Sequence, residues 1–182
     1  MKLCRNCQNA SELRFSVSAA YEEFGQQSLV PCLTALAAKT VIFDVEPLVA
    51  DWDSGQEALD RGIARVLDEL AATPEVLLVC FATNSSRQPS MLPQRPGMQV
   101  EFVTSARKPL RTVPYRDFPR PGVVIGDQVL TDGLLARRLG YTFLHYSPAP
   151  AAMPPGPRLL SQVGGLVRPV VFARNPRPRR AR

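Results

Sequence analysis

Three apolar runs dominate the chain, and each stops at a polar residue that can do chemistry. Val41–Val45 carries Asp44 near its end and Glu46 just beyond it. Val76–Phe81 runs into Thr83 and Asn84, and Val123–Ile125 runs into Gly126 and Asp127. Short runs that are apolar throughout, rather than alternating, are the pattern of strands buried on both faces of a parallel sheet. Met98–Val103 and Tyr141–Tyr146 read as two further strands. Between them, Leu59, Ile63, Val66, Leu67 and Leu70 fall on one helical face. That helix follows Ser54-Gly-Gln-Glu57, which has the form of a capping box, and closes at Thr73-Pro74. Leu29–Ala38 and Leu134–Leu139 are shorter helices, the second stopped by Gly140, and a helix is also expected around Ser16–Phe24. The alternation predicts an α/β fold with a central, mainly parallel sheet.

A chain of 182 residues fits one domain with its own core. The pattern divides it into an N-terminal extension (1–28), a core (29–146), a Pro-rich linker with a short amphipathic segment (147–173) and a basic tail (174–182). Fifteen of the eighteen prolines crowd into 89–121 and 147–178, which are therefore expected to be loops. The net charge of +6 is local, because Arg174, Arg177, Arg179, Arg180 and Arg182 supply five of those charges without an acidic neighbour. Such a tail suits a nucleic acid, an acidic partner or an anionic membrane surface, or is simply a solubilising end. Leu159, Leu160, Val163, Leu166 and Val167 form an apolar stripe ahead of it, suited to packing on the domain or lying on a membrane. Cys4 and Cys7 have the spacing of half a zinc site, but no second pair follows, and His145 is the single histidine. Cys32 and Cys80 read as core residues. With no apolar leader and no run long enough to span a bilayer, the expected compartment is the cytoplasm, with a peripheral membrane association left open.

In an open parallel sheet, ligands bind beyond the carboxyl ends of the strands. Those ends carry Asp44, Thr83-Asn84 and Asp127, with Asp132 five residues further on and Lys108 shortly after Met98–Val103. Carboxylates converging on one point need a cation between them, and a hard oxygen-liganded ion such as Mg²⁺ suits them. A lysine and a hydroxyl beside them suit phosphoryl oxygens. The set describes phosphoryl transfer with a carboxylate nucleophile.

These segments also resemble a known family. Val41-Ile-Phe-Asp-Val-Glu46 is similar to motif I of the haloacid-dehalogenase (HAD) superfamily, Phe81-Ala-Thr-Asn-Ser-Ser-Arg87 to motif II, and Lys108-Pro109 to motif III. Gly126-Asp-Gln-Val-Leu-Thr-Asp132, followed by Gly-Leu-Leu-Ala-Arg-Arg-Leu-Gly140, resembles motif IV of the YqeG-type branch of subfamily IIIA, which is related to phosphatidylglycerophosphate phosphatases. The resemblance spans about 29–146. It implies a HAD-like Rossmannoid three-layer sandwich and a Mg²⁺-dependent phosphatase. Asp44 would be nucleophile and metal ligand, with the Glu46 main-chain carbonyl and Asp127 as further ligands. Thr83 and Asn84 would meet the phosphoryl group, Lys108 would offset its charge, and Asp132 would orient Lys108 or the metal's waters. The family's second aspartate is here Glu46, a general acid and base on a stem longer by one methylene, and Leu48 replaces its usual threonine. Such sites tolerate little misplacement, so a catalytically impaired scaffold that binds through the basic tail is the competing expectation.

Plainer readings stand beside each residue: a strand-end cap for Asp44, turn chemistry for Thr83, Asn84 and Asp127, a solvated basic loop for Lys108, a non-catalytic survivor for Glu46. Only 39 positions separate Asp44 from Thr83 and 25 separate Thr83 from Lys108. Neither interval holds the cap domain that HAD enzymes for small metabolites commonly use to exclude water, so the resemblance implies a bulky or macromolecular phosphorylated substrate, or one whose partner supplies the lid.

Overall fold

The computed structural model describes residues 12–16, 29–147 and 154–171. In order, the elements are β1 (Glu12–Ser16), α1 (Leu29–Ala35), β2 (Thr40–Asp44), α2 (Gln56–Leu70), β3 (Leu78–Ala82), β4 (Gln99–Val103), β5 (Gly122–Gly126), α3 (Leu134–Leu139), β6 (Thr142–Ser147) and α4 (Pro155–Val171). The strands form one sheet in the order β1-β6-β5-β2-β3-β4. Every pairing between them is parallel. The chain is thus an α/β fold with a central parallel sheet flanked by helices.

The continuous apolar runs have the physical cause expected of them, because successive residues face opposite layers. Val41 and Phe43 of β2 pack on one side with Leu33 of α1 and with Leu59, Ile63 and Leu67 of α2. Ile42, between them, packs on the other side with Cys80, Phe143, Leu135 and Tyr115. Phe43 and Phe81 stack across neighbouring strands, 5.8 Å between ring centroids. Leu48 is fully buried in the first of these layers, so its side chain serves the core.

After β2 the chain moves outward through β3 and β4, then returns to the other side of β2 with β5 and β6. Strand order therefore reverses beside β2, where a crevice opens at the strand ends. One helix, α2, fills the interval between β2 and β3.

Several local expectations need correction. The strand β1, which extends the sheet beside β6, was not expected; apart from Ser16, the helix expected around Ser16–Phe24 lies outside the described residues. Ser54-Gly-Gln-Glu57 does not close a capping box. Gly55 is the N-cap, and the Ser54 hydroxyl instead donates to the Asp51 carbonyl at 2.7 Å. The proline-rich 155–171 is helical rather than looped. Its first i to i−4 bond is from Arg158 N–H to the Pro154 carbonyl, so Pro155 and Pro157 occupy positions whose missing N–H costs nothing. Gly164-Gly165 sits within this helix, and Gly164 meets the body: a Cβ there would lie 3.3 Å from Val129 Cβ. Cys4, Cys7 and the basic tail lie outside the described residues. Among the described residues, no helix is long and apolar enough to cross a membrane.

The loop that leaves β2 is fixed by contact with α2. A Cβ on Gly62 would sit 2.0 Å from the Val49 carbonyl oxygen, whereas nothing lies within 4 Å of one on Gly55. Gly62→Ala is expected to destabilise the protein by about 1–3 kcal/mol through overpacking against backbone. Gly55→Ala should cost less, up to about 1 kcal/mol, for the poorer N-cap alone. Urea denaturation of the two variants checks the pair, and equal midpoints would contradict the close approach.

Candidate active site

Each strand that meets at the crevice delivers a polar group as it ends. Asp44 is the last residue of β2, Thr83 follows β3, and Asp127 follows β5. Lys108 arrives from the loop after β4, and Asp132 from the single wide helical turn Val129–Gly133. All five are buried.

Carboxylate oxygens of Asp44, Asp127 and Asp132 lie within 4.8 Å of one another. Lys108 Nζ stands between two of these acids, 2.7 Å from Asp44 Oδ1 and 2.7 Å from Asp132 Oδ1. The other Asp132 oxygen accepts from the Gln128 N–H at 3.3 Å and from the Thr131 hydroxyl at 3.1 Å. Asp127 has no such help. It is 1% exposed, and neither of its carboxylate oxygens is hydrogen-bonded to another residue.

One ammonium cannot neutralise three carboxylates. Burial, aided by Asp132, pushes the Asp127 carboxyl up to about 8. Asp44 is also held well above its ordinary value, by burial and then by Asp132, with Lys108 acting in the opposite sense. For Lys108 the two neighbouring acids outweigh burial, and its ammonium is kept charged far above the usual range. The excess negative charge thus sits on Asp44 and Asp127, which must either take up protons or share a cation. Two buried, close and under-satisfied carboxylates fit a divalent, oxygen-liganded ion. Asp132 is within range, but both its oxygens already accept hydrogen bonds.

Lys108 is delivered by a tightly held loop. Its N–H donates to Asn84 Oδ1 at 2.7 Å, and Asn84 Nδ2 donates to its carbonyl at 3.4 Å. Arg138 of α3 holds the next two carbonyls, of Pro109 and Leu110, at 2.6 and 2.8 Å. Asn84, expected to touch substrate, lines the cleft and also uses its amide to position Lys108. His145 lies on β6, where its Nε2–H donates to the Asp127 main-chain carbonyl at 3.0 Å. Gly126 leaves space for Asp132: a Cβ there would be 2.5 Å from the Asp132 carboxyl carbon.

The carboxylate of Glu46 lies outside the three-acid cluster and along the rim. It accepts from the Thr83 hydroxyl at 2.7 Å and from Ser85 Oγ and Arg87 Nη1, both at 3.4 Å. Arg87 also donates to the carbonyls of Asp51 and Ser54, each at 2.9 Å, tying the two banks together. Arg87 and Ser85 were not assigned roles from sequence. The only signal for Arg87 was a basic residue four positions after Thr83, which spacing alone does not distinguish from a solvated one. The cleft encloses about 230 Å³ and is lined by Asp44, Glu46, Thr83, Arg87, Lys108 and Trp52 among others.

No protein family, curated protein or solved structure matches the chain. What the site does rests on its own chemistry.

Raised carboxyls give stability a definite pH sense. In the unfolded chain Asp127 ionises near the ordinary 3.8, and in the folded chain near 8. Across that window the native state holds a proton that the unfolded state has lost, so stability falls as pH rises, by up to about 1.4 kcal/mol per pH unit. Asp44 adds in the same direction. In chelator, the thermal midpoint should therefore drop from pH 5 to pH 8, and Asp127→Asn should flatten the drop and raise the midpoint at pH 8. A parent whose midpoint is level over this range would show that the carboxyls are not held up.

Proposed function

We propose that the protein is a divalent-metal-dependent phosphomonoester hydrolase acting through an aspartyl-phosphate on Asp44. The observation that carries this reading is the buried Asp127 carboxylate with no neighbour to satisfy it, facing Asp44 across a distance one ion can bridge. Support also comes from Lys108, paired to Asp44 at 2.7 Å where charge would build during attack, and from the Thr83 hydroxyl at the mouth of the same cleft. The strand order, helices on both faces and the motif resemblance together favour a HAD-like domain. Absence of an inserted cap between β2 and β3 favours a bulky phosphorylated substrate.

Asp44 and Asp127, with the Glu46 main-chain carbonyl as the resemblance implies, would hold the ion, for which Mg²⁺ is the natural choice. When bound, it supplies positive charge to the phosphoryl oxygens and relieves the repulsion between the carboxylates. An Asp44 oxygen attacks phosphorus as the bond to the leaving oxygen breaks, and Glu46 in its acid form gives that oxygen a proton. Water then attacks the aspartyl-phosphate while the Glu46 carboxylate takes its proton. Inorganic phosphate leaves and Asp44 is restored. Lys108 offsets charge on Asp44 throughout, and Asp132 keeps Lys108 in place.

One observation favours the second reading, an impaired scaffold that binds a partner, nucleic acid or membrane through its basic tail. The Glu46 carboxylate is engaged by Thr83 and Arg87, and proton transfer requires their release. Hydrolysis of p-nitrophenyl phosphate separates the two. Expected for the hydrolase are Mg²⁺-dependent turnover by wild type, its loss in Asp44→Asn, and a reduction of about 10²–10⁴-fold in Glu46→Gln. An inert wild type that Glu46→Asp awakens establishes the impaired scaffold. Equal rates in every variant would sink the site.

A further inference from the structure

Helix α4 turns leucines toward solvent. Leu159, Leu160, Val163 and Leu166 are 62%, 42%, 40% and 81% exposed, although they fall along one stripe of the helix. They are half of the large apolar side chains exposed among the described residues. α4 meets the body along the flank next to this stripe, through Gly164 against Val129, one turn from Leu160. An apolar stripe facing outward on a seated helix marks a contact surface.

The charge of the sequence around it calls for a partner that is both anionic and able to take up apolar side chains. From Gly133 to residue 182 there is no aspartate or glutamate, while nine arginines occur, Arg158 and Arg168 within α4 and five after residue 173. A second copy of the chain would bring the same positive charge to the same place and be repelled. A nucleic acid would satisfy the arginines and leave the leucines in water. An anionic bilayer satisfies both, taking the apolar stripe into the acyl boundary while headgroups meet the guanidinium groups.

We infer that the exposed Leu159/Leu160/Val163/Leu166 face of α4 and the arginine-rich sequence beyond it dock this protein in the plane of an anionic lipid surface. Docking is independent of the reaction in the cleft, so its test needs no turnover.

The full chain is sedimented with vesicles of phosphatidylcholine alone, or of equal parts phosphatidylcholine and phosphatidylserine. Binding to the anionic vesicles only, weakened by salt, is expected. Leu159→Glu/Leu166→Glu should reduce it at least about tenfold, since two charges replace the side chains that enter the boundary. Arg179→Gln/Arg180→Gln should reduce it by about five-fold per arginine. Both substitutions lie on exposed or tail positions, and far-ultraviolet circular dichroism should be unchanged. As a gain of signal, Leu166→Trp should show a blue-shifted emission with anionic vesicles beyond that of wild type. The proposal is overturned if wild type ignores both vesicles, or binds both equally. It is also overturned if the glutamate variant binds undiminished, which leaves the arginines alone as the contact. Binding to polyuridylate without binding to vesicles would assign the surface to nucleic acid. A dimer in sedimentation velocity that Leu159→Glu/Leu166→Glu dissolves, with no vesicle binding, would assign it to self-association.

Discussion

Three carboxylates buried around one ammonium set the terms for the rest of this structure. In water the arrangement would be unremarked; out of water, each unpaired carboxylate is costly. The sheet meets this by ending three neighbouring segments at one point, so that Lys108 is shared between Asp44 and Asp132. Asp127 is left over. A protein built only for stability would replace that acid with a neutral residue. Its presence, deep and unsatisfied, is a cost that makes sense where a cation or a reacting group completes the charge.

Around this centre, much of the polar structure serves to deliver Lys108 and to hold the rim. Asn84 and Arg138 fix four main-chain groups of the Lys108–Leu110 loop between them. A long, flexible side chain gains most from such a fixed base, because less of its freedom is left to lose when it pairs. The rim is held differently. Arg87 joins Glu46 to the Asp51 and Ser54 carbonyls through bonds that remain partly in contact with solvent. Floor and rim therefore differ in their exposure to solvent, and Glu46 belongs to the more exposed part.

The strand ends were readable because buried parallel strands must be apolar throughout, which makes the polar residue that stops each run conspicuous. Asp44, Thr83 and Asp127 were found that way, and the crevice beside β2 brings them together. What the residues did not reveal depends on partners distant in sequence. Ser54 has the right neighbours for a cap, but Asp51 and Arg87 take its hydroxyl. The grip of Asn84 on the Lys108 loop was not legible, because nothing local says that Lys108 will lie beside it. The α4 helix was obscured by its prolines, whose effect depends on which turn they occupy. β1 was missed because five residues of mixed character become a strand only when β6 offers an edge.

Gly126 shows how closely the floor is built. Its missing side chain is the room that the Asp132 carboxyl occupies. Position 126 and Asp132 thus form a single unit, since a methyl group at one would evict the other. Lys108 would then keep one anionic neighbour instead of two, and an ammonium sealed from water would be left half-clothed. The smallest residue of the crevice thereby governs the protonation balance of its largest charge cluster, without carrying any charge itself.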